Sequence, residues 1–178
     1  MKYLLKGQET ERLKFRLLQQ DDFDSWMKLF RAKNVAIFLG LDPTLSEYEL
    51  CKLWFERGSH RYENDLGGMN VLIEKSTGLV VGQCGLLVQT VEDVERLEVG
   101  YSILPEFWGR GFASEGAAKC KNYAFENDLA DSLISIIHVD NIVSERVALK
   151  NGMALEKKLD SYKGNPVNIF RIDKKNWN

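Results

Sequence analysis

The residue types that could do chemistry are concentrated where a predicted strand runs into a glycine-containing bend and then a helix. Residues 98–114 read EVGYSILPEFWGRGFAS, so Gly109 and Gly111 flank Arg110. The first turn of a helix carries backbone N–H groups without partners and the positive end of the helix dipole. Because glycine lets an anion approach the backbone, and Arg110 adds a cation, the segment predicts an anion site.

The spacing of these glycines does not fit two common phosphate motifs. The segment lacks the Gly-Lys-Ser/Thr of a P-loop, and Ser114 stands where a dinucleotide fold has its third glycine. The spacing alone is also compatible with an ordinary glycine-containing turn before a helix, with no bound anion. A nucleotide-phosphate binder remains a further alternative, and it predicts competition by ATP or NAD.

The rest of the chain alternates between strand and helix patterns. Residues 95–103 alternate strictly, with Glu98, Gly100 and Ser102 on the face opposite Leu97 and Tyr101. Ser46 and Glu49 form a predicted capping box, and Asp140 or Asn141 is expected to cap a helix over 142–150. The other predicted strands cover 12–18, 69–74, 79–88, 133–139, 154–161 and 167–173, and the other predicted helices cover residues 21–30 and 112–127. This order predicts a mixed α/β or α+β sheet.

Length and composition narrow the class of protein. With 178 residues, 44% apolar residues and a net charge of −2, the chain is expected to be one domain over 1–178. The absence of a basic excess and of a long apolar run predicts no nucleic-acid and no membrane partner. The three cysteines, Cys51, Cys84 and Cys120, form no CxxC pattern, so we expect buried, reduced thiols and a cytoplasmic location.

Four separated blocks resemble the GNAT superfamily of acyl-CoA-dependent N-acyltransferases, and within it the RimJ/RimL-type group, which acetylates ribosomal-protein N-termini. They are residues 9–13 (ETERL), 98–101 (EVGY), 107–115 (FWGRGFASE) and 141–153 (NIVSERVALKNGM). The blocks occur in the family's order along almost the whole chain.

The resemblance implies a GNAT-type three-layer fold. Its mixed, mostly antiparallel sheet of six or seven strands splays between the fourth strand (95–103) and the fifth (133–139) and is flanked by about four helices. Acetyl-CoA as co-substrate would enter the gap. Trp108 departs from the usual Gln or Arg of the pyrophosphate loop. The cofactor-binding residues implied are Tyr101, Ser102, Ile103, Leu104, Trp108, Gly109, Arg110, Gly111, Phe112, Ala113, Ser114, Asn141 and Ser144.

Acetyl transfer requires a neutral amine, a stabilised oxyanion and protonation of the departing thiolate. Glu98, which matches a glutamate used as base in some members, is the candidate base. Its alternative is a strand glutamate that is either solvated or ion-paired, for example with Arg96. A backbone N–H near Val99 to Tyr101 is the candidate oxyanion donor. Many members carry a tyrosine in the helix where this chain has Ala148, so Ser144 is the candidate proton donor, or a helix-capping residue only.

Other polar and aromatic residues are weaker candidates. His138 is expected to be a hydrogen-bonded core histidine, His60 a surface residue, and neither has metal-ligand spacing, so no metal is expected. Tyr162 and Asp160 come just before the closing turn, where they could reach the acceptor or be surface groups only. Either Trp54 or Phe55 is expected to line the acceptor groove, while Trp26 and Phe30 fit the core.

The leading prediction is an enzyme that transfers an acetyl group to a primary amine, either a protein N-terminus or a small molecule. The alternative is a sensor or scaffold of the same fold that binds acyl-CoA without turnover. A monomer and a homodimer both remain open.

Overall fold

Across residues 2–177, seven strands form one mixed sheet in the order β1-β2-β3-β4-β5-β7-β6. All neighbours pair antiparallel except β4 and β5, which are parallel. The computed structural model describes residues 2–177. The strands are β1 (Leu13–Arg16), β2 (Gly67–Glu74), β3 (Val80–Val91), β4 (Val94–Ile103), β5 (Ser132–His138), β6 (Ala154–Tyr162) and β7 (Asn165–Asp173).

Within the described part of the chain, five α-helices flank the sheet, one more than expected. They are α1 (Phe23–Phe30), α2 (Val35–Phe38), α3 (Glu47–Glu63), α4 (Phe112–Glu126) and α5 (Ile142–Lys150). The additional helix is α2, a single turn whose four apolar residues have no helical period to reveal it. The predicted Ser46–Glu49 capping box is confirmed, and Asn141 is the cap of α5.

The helices lie on opposite faces of the sheet. On one face, the Cys120 thiol of α4 lies 3.4 Å from the Cys84 thiol of β3. On the other, Gln83 of β3 lies against α1 and α3: with its amide oxygen turned toward them, it accepts from the indole N–H groups of Trp26 (2.9 Å) and Trp54 (2.6 Å). Successive strand residues point to opposite faces, so even-numbered and odd-numbered positions of β4 serve different helix layers.

The pairing register extends this assignment to β4. Gln83 pairs with Ser102 and Leu87 with Glu98, so Glu98 and Ser102 face the α1–α3 layer. Cys84 pairs with Tyr101, which therefore faces α4. This confirms the alternation predicted for residues 95–103.

The closing hairpin differs from the sequence expectation at its turn. The turn consists of Lys163 and Gly164 alone, with φ of +49° and +86°, and β7 already begins at Asn165 rather than at residue 167. Positive φ at both central residues is the type I′ geometry that matches the twist of a two-residue hairpin. The early start of β7 places Lys163 at the end of the sheet, close to β3.

Replacing Gln83 with leucine is expected to destabilise the fold by about 2–4 kcal/mol, because two indole N–H groups would lose their acceptor. Chemical denaturation measures the change, and Gln20→Leu, at an exposed position, is the matched control. A loss no larger than that of the control would show that Gln83 does not hold the two indoles.

Candidate functional site

The sheet opens between β4 and β5. A single pair, Glu98 with Ile134, joins the two strands. Just beyond it, the Ser135 hydroxyl donates to the Val99 carbonyl over 2.8 Å, a side-chain bond where a strand ladder would continue. The vertex of the opening therefore lies at Glu98.

The open edge of β4 presents backbone groups to this gap. The Val99 carbonyl points toward β5, as its bond from Ser135 requires. The Ile103 carbonyl accepts the indole N–H of Trp108 over 2.7 Å. Because backbone N–H and C=O groups of alternate residues point to the same side of a strand, the Tyr101 N–H between them also faces the gap.

The Glu98 carboxylate is buried at the vertex, with only 9% of the residue exposed. Its Oε2 accepts from Gln89 Nε2 over 2.7 Å, and its Oε1 accepts from the Ile136 N–H over 3.4 Å. The expected alternative of an ion pair with Arg96 is wrong, since Arg96 donates to Glu156 over 2.7 Å.

Burial raises the pKa of Glu98 above its ordinary value. The two hydrogen bonds to the carboxylate, followed by the positive charges of Arg61 and Lys163, oppose that rise. A carboxyl whose pKa is raised toward neutrality is suited to accept a proton from an amine.

The anion site predicted from the sequence lies at the start of α4. Gly109 and Gly111 both have positive φ (+76° and +81°), and Gly111 is the N-cap residue of α4. No atom lies within 4 Å of the place where a Cβ of Gly109 would stand, so the bend is open to a ligand. The backbone N–H groups of Phe112, Ala113 and Ser114 form the first turn, where α-helices lack internal acceptors.

A polar cluster fastens this bend to β1. Glu115 accepts from the Thr10 hydroxyl (2.5 Å), from the Arg12 N–H (2.9 Å) and from Arg12 Nε (2.6 Å). Arg12 also donates to the Arg110 carbonyl over 3.0 Å, and its guanidinium lies 4.6 Å from the centre of the Phe112 ring. Residues from the first block, 9–13, therefore fix the backbone of the third.

The start of α5 borders the gap on the same face as α4. Asn141 Oδ1 accepts from the Ser144 N–H over 3.2 Å, which is a helix cap. The Tyr101 hydroxyl donates to the Ser144 carbonyl over 2.6 Å and so joins β4 to α5. Burial raises the pKa of the Tyr101 phenol, which stays protonated as a donor. Sequence reasoning missed this side-chain role because it depends on a contact between residues far apart in the chain.

One cleft of about 1260 Å³ connects these features. Two of the expected ligand-binding residues do not line it. Leu104 is buried, and its N–H donates to Val81 on the β3 side; Arg110 extends over the Phe107 ring instead. The expected residues that do line it are Glu98, Tyr101, Ser102, Ile103, Trp108, Gly109, Gly111, Phe112, Ala113, Ser114, Asn141 and Ser144.

The weaker candidates divide between cleft and surface. Tyr162 and Trp54 line the cleft, whereas Asp160 and Phe55 are not among its lining residues. His138 is hydrogen-bonded, as expected, because its Nδ1 accepts from the Asp140 N–H over 3.2 Å, and its side chain is only 9% exposed. It also lines the cleft, with its ring 5.5 Å from that of Phe38 in α2. Gln89 was missed, because only the β3–β4 register brings it to Glu98.

Three further expectations concern metals, membranes and thiols. Within residues 2–177, no three His, Cys, Asp or Glu side chains are grouped as metal ligands. No helix of the same segment has the length and apolar character needed to cross a bilayer. Cys51, Cys84 and Cys120 are all buried and free, as expected.

Comparisons with known proteins agree with this architecture. The sequence profile described as "Acetyltransferase (GNAT) domain" matches residues 12–154. The chain is 28% identical to the uncharacterized protein YkkB of Bacillus subtilis, over 95% of each chain. It is also 28% identical to the uncharacterized N-acetyltransferase YoaA of the same organism, over 93% of this chain and 96% of that protein.

Solved structures share the fold at lower identity. An acetyltransferase from Agrobacterium tumefaciens has a TM-score of 0.77 and 23% identity over 94% of both chains. A spermidine N-acetyltransferase from Vibrio cholerae in complex with CoA and spermine has a TM-score of 0.72 and 18% identity, over 94% of this chain and 98% of that one. The RimL ribosomal L7/L12 alpha-N-protein acetyltransferase in complex with coenzyme A has a TM-score of 0.71 and 18% identity, over 94% and 97%.

The cluster at Glu115 generates a pH-dependent prediction. Burial alone would raise the pKa of Glu115. Hydrogen bonds from Thr10 and Arg12 nevertheless hold that pKa below its ordinary value of 4.5. A depressed carboxyl pKa stabilises the fold above the unfolded-state pKa, and this contribution is lost as the pH falls through the folded-state value. Glu115→Gln is therefore expected to cost about 1–3 kcal/mol at pH 7 and progressively less below pH ~4.

Urea unfolding at several pH values measures this effect, with Glu106→Gln, at an exposed position, as the control. A stability loss that is the same at every pH would contradict the electrostatic role of Glu115.

Proposed function

The chain belongs to the GNAT acetyltransferase family, and on that premise we propose that it transfers the acetyl group of acetyl-CoA to a primary amine by direct attack in a ternary complex. The observation that carries this proposal is the position of the buried Glu98 carboxylate. It lies at the vertex of the gap between β4 and β5, within the same cleft as the open bend at Gly109 and Gly111. One cleft therefore contains the candidate base Glu98, the unpaired edge of β4 and the candidate anion site at Gly109 and Gly111.

The residues present fit acetyl-CoA as co-substrate. The N–H groups at the start of α4, from Gly109 to Ser114, would bind the pyrophosphate, because backbone donors and the helix dipole favour an anion there. The pantetheine arm would pair with the rest of the open edge of β4, beyond the Tyr101 N–H. The free amide of Asn141 would contact the same arm from α5.

Trp108, which stands where the family usually has Gln or Arg, affects only the edge of the proposed acetyl-CoA site. The indole already occupies the Ile103 carbonyl, so that acceptor is unavailable to the pantetheine arm. The Trp108 ring is 56% exposed beside the cleft. It therefore shortens the open edge of β4 rather than filling the bend.

Acetyl-CoA supplies an activated acyl carbon, and the chain's residues manage the protons. As the amine nitrogen bonds to that carbon and the carbon–sulfur bond breaks, Glu98 takes the proton lost by the amine, through water. The Tyr101 N–H is the proposed donor to the transient oxyanion. The electron pair leaves with sulfur, and the thiolate takes up a proton.

Ser144 is the proposed source of that last proton. Its backbone is held by the Asn141 cap and by the Tyr101 hydroxyl, which fixes the start of α5 at the gap. These contacts leave the Ser144 side chain, which lines the cleft, to interact with the departing sulfur. The Tyr101 hydroxyl is engaged with a carbonyl and is a positioning group.

Finer assignments rest on the four motif blocks and on the likeness to RimL. They support a RimJ/RimL-type enzyme, one GNAT domain over 1–178, acting on a protein N-terminus or a small amine as a monomer or homodimer. The three buried free thiols support a cytoplasmic location.

Gly111→Trp is expected to weaken acetyl-CoA binding by about 100-fold or more, because the new side chain obstructs at least two charge-assisted bonds at the helix start. Gly78→Trp is the matched control: it has the same left-handed backbone (φ +73°), has no atom within 4 Å of its Cβ position, and lies at the β2–β3 turn. Calorimetry measures both. Undiminished binding by the Gly111 variant would remove the bend from the site.

Glu98→Gln is expected to lower kcat/KM by about 100-fold, since general bases contribute at least that much. The loss of activity should be largest at pH values between two limits. Above the pKa of Glu98 the native carboxylate is ionised, and below the pKa of the amine a base is needed to remove its proton. Release of CoA thiol across a pH series and an amine panel measures it, with Glu95→Gln as a control on the same strand.

Two outcomes would contradict this mechanism. Equal activity of the Glu98 variant at every pH would exclude the carboxylate as base. Tight acetyl-CoA binding with no turnover of any amine would favour the sensor or scaffold function.

A further inference from the structure

The charges that line the cleft are strongly unbalanced. Among the residues described, the only acidic group in the lining is Glu98. Opposite it stand six lysines and arginines: Lys33, Arg57, Arg61, Arg146, Lys150 and Lys163. This excess of positive charge would repel a cationic amine, so it is not expected in a cleft that binds only such an amine.

Four of these six cations lie on two helices, on opposite faces of the sheet. Arg146 and Lys150 lie on α5, on the face that carries α4 and the proposed pyrophosphate seat. Arg57 and Arg61 lie on α3, on the face that Glu98 shares. The phosphates of CoA account for the first group but lie on the wrong face to account for the second.

Lys163 joins the α3 group from the other side of the cleft. Its Nζ donates to Gln89 Oε1 over 3.1 Å, and the Nε2 of the same amide donates to Glu98. The Tyr162 hydroxyl donates to Gln89 Oε1 over 3.3 Å. The type I′ turn thus places an ammonium group one amide away from the proposed base.

Within residues 2–177, Arg57, Arg61 and Lys163 form no ion pair with a carboxylate within 4.0 Å, unlike Arg96 and Arg171 at the sheet surface. Arg61 is held by bonds from Nη1 to the Leu66 and Val88 carbonyls (2.9 and 3.2 Å), which fix its orientation without cancelling its charge. Burial, and then the neighbouring positive charges, lower the pKa of Lys163. The three cations are held near one another and face a single carboxylate, that of Glu98, so positive charge remains in excess.

We propose that the cationic wall formed by Arg57, Arg61 and Lys163 binds an anionic group of the acceptor, so that the substrate is an amine that also carries a carboxylate or a phosphate. This inference rests on the proposed acetyl transfer and specifies its acceptor. Guanidinium groups pair well with both anions, and their charge disfavours a polycationic acceptor such as a polyamine. The same wall lowers the pKa of a nearby ammonium, which favours the neutral amine that must attack.

Binding of acetylated products tests the wall without requiring turnover. The probes are N-acetylglycine and N-acetylleucine, each paired with its carboxamide, N-acetylphosphoethanolamine paired with N-acetylethanolamine, and N-acetylspermidine. Each is titrated by NMR into the protein with and without saturating CoA. At least one anionic probe is expected to bind about tenfold tighter than its neutral partner, and N-acetylspermidine weakest. Comparing the N-acetylamino acids with N-acetylphosphoethanolamine shows whether the preferred anion is a carboxylate or a phosphate.

The double variant Arg57→Gln with Lys163→Asn is expected to reduce this preference to about twofold or less while CoA affinity stays unchanged. Asparagine is chosen because it tolerates the left-handed backbone at position 163 (φ +49°). Lys52→Gln, on the exposed surface of α3 beside Glu56, is the control and should keep the preference.

The possible results separate this inference from the proposed function. Neutral or cationic probes that bind as well as anionic ones overturn the inference, as does a preference that survives the double variant, and either leaves acetyl transfer intact. Anion preference without CoA binding or turnover supports the wall and refutes the proposed acetyl transfer.

Discussion

The early end of the pairing between β4 and β5 is the constraint on which the site depends. Unpaired backbone groups inside a protein are costly, and an open strand edge invites pairing. Here side chains replace part of the missing ladder: Ser135 bonds to the Val99 carbonyl, Trp108 to the Ile103 carbonyl, and the Ile136 N–H to Glu98. These bonds leave part of the β4 edge unpaired, including the Tyr101 N–H. A linear ligand that contains amides could pair with this short stretch of strand.

The gap also determines what each face of the sheet can do. Because side chains alternate along β4, Tyr101 reaches α5 while Glu98 faces α3. The glycine bend at the start of α4 and the Glu98 carboxylate at the vertex therefore lie on opposite sides of one opening. A ligand that passes through the opening from the α4 face would present its reactive end to Glu98 on the other.

Much of this arrangement could be predicted from local patterns, because strand alternation and helix caps depend on neighbouring residues. The face shared by Glu98 and Ser102, the capping box at Ser46 and the glycine bend before α4 are of this kind. Errors arose where a distant partner decides. An ion pair with Arg96 is a reasonable alternative for Glu98 because the two are neighbours on one face, but the β3 register brings Gln89 to the carboxylate, and Arg96 reaches Glu156 on β6.

Long-range contacts also explain why the charge of the cleft could not be read from the sequence. The chain has a net charge of only −2, and its cations and anions are interspersed. Folding separates them: surface arginines such as Arg171 find carboxylates, while Arg61 is held by backbone carbonyls instead. Carbonyl bonds fix the orientation of a guanidinium without cancelling its charge, so the field of Arg61 extends into the cleft, where Glu98 carries the opposing charge. Burial raises the pKa of Glu98 and the nearby cations oppose that rise, so the titration of this carboxyl depends on the balance between desolvation and charge.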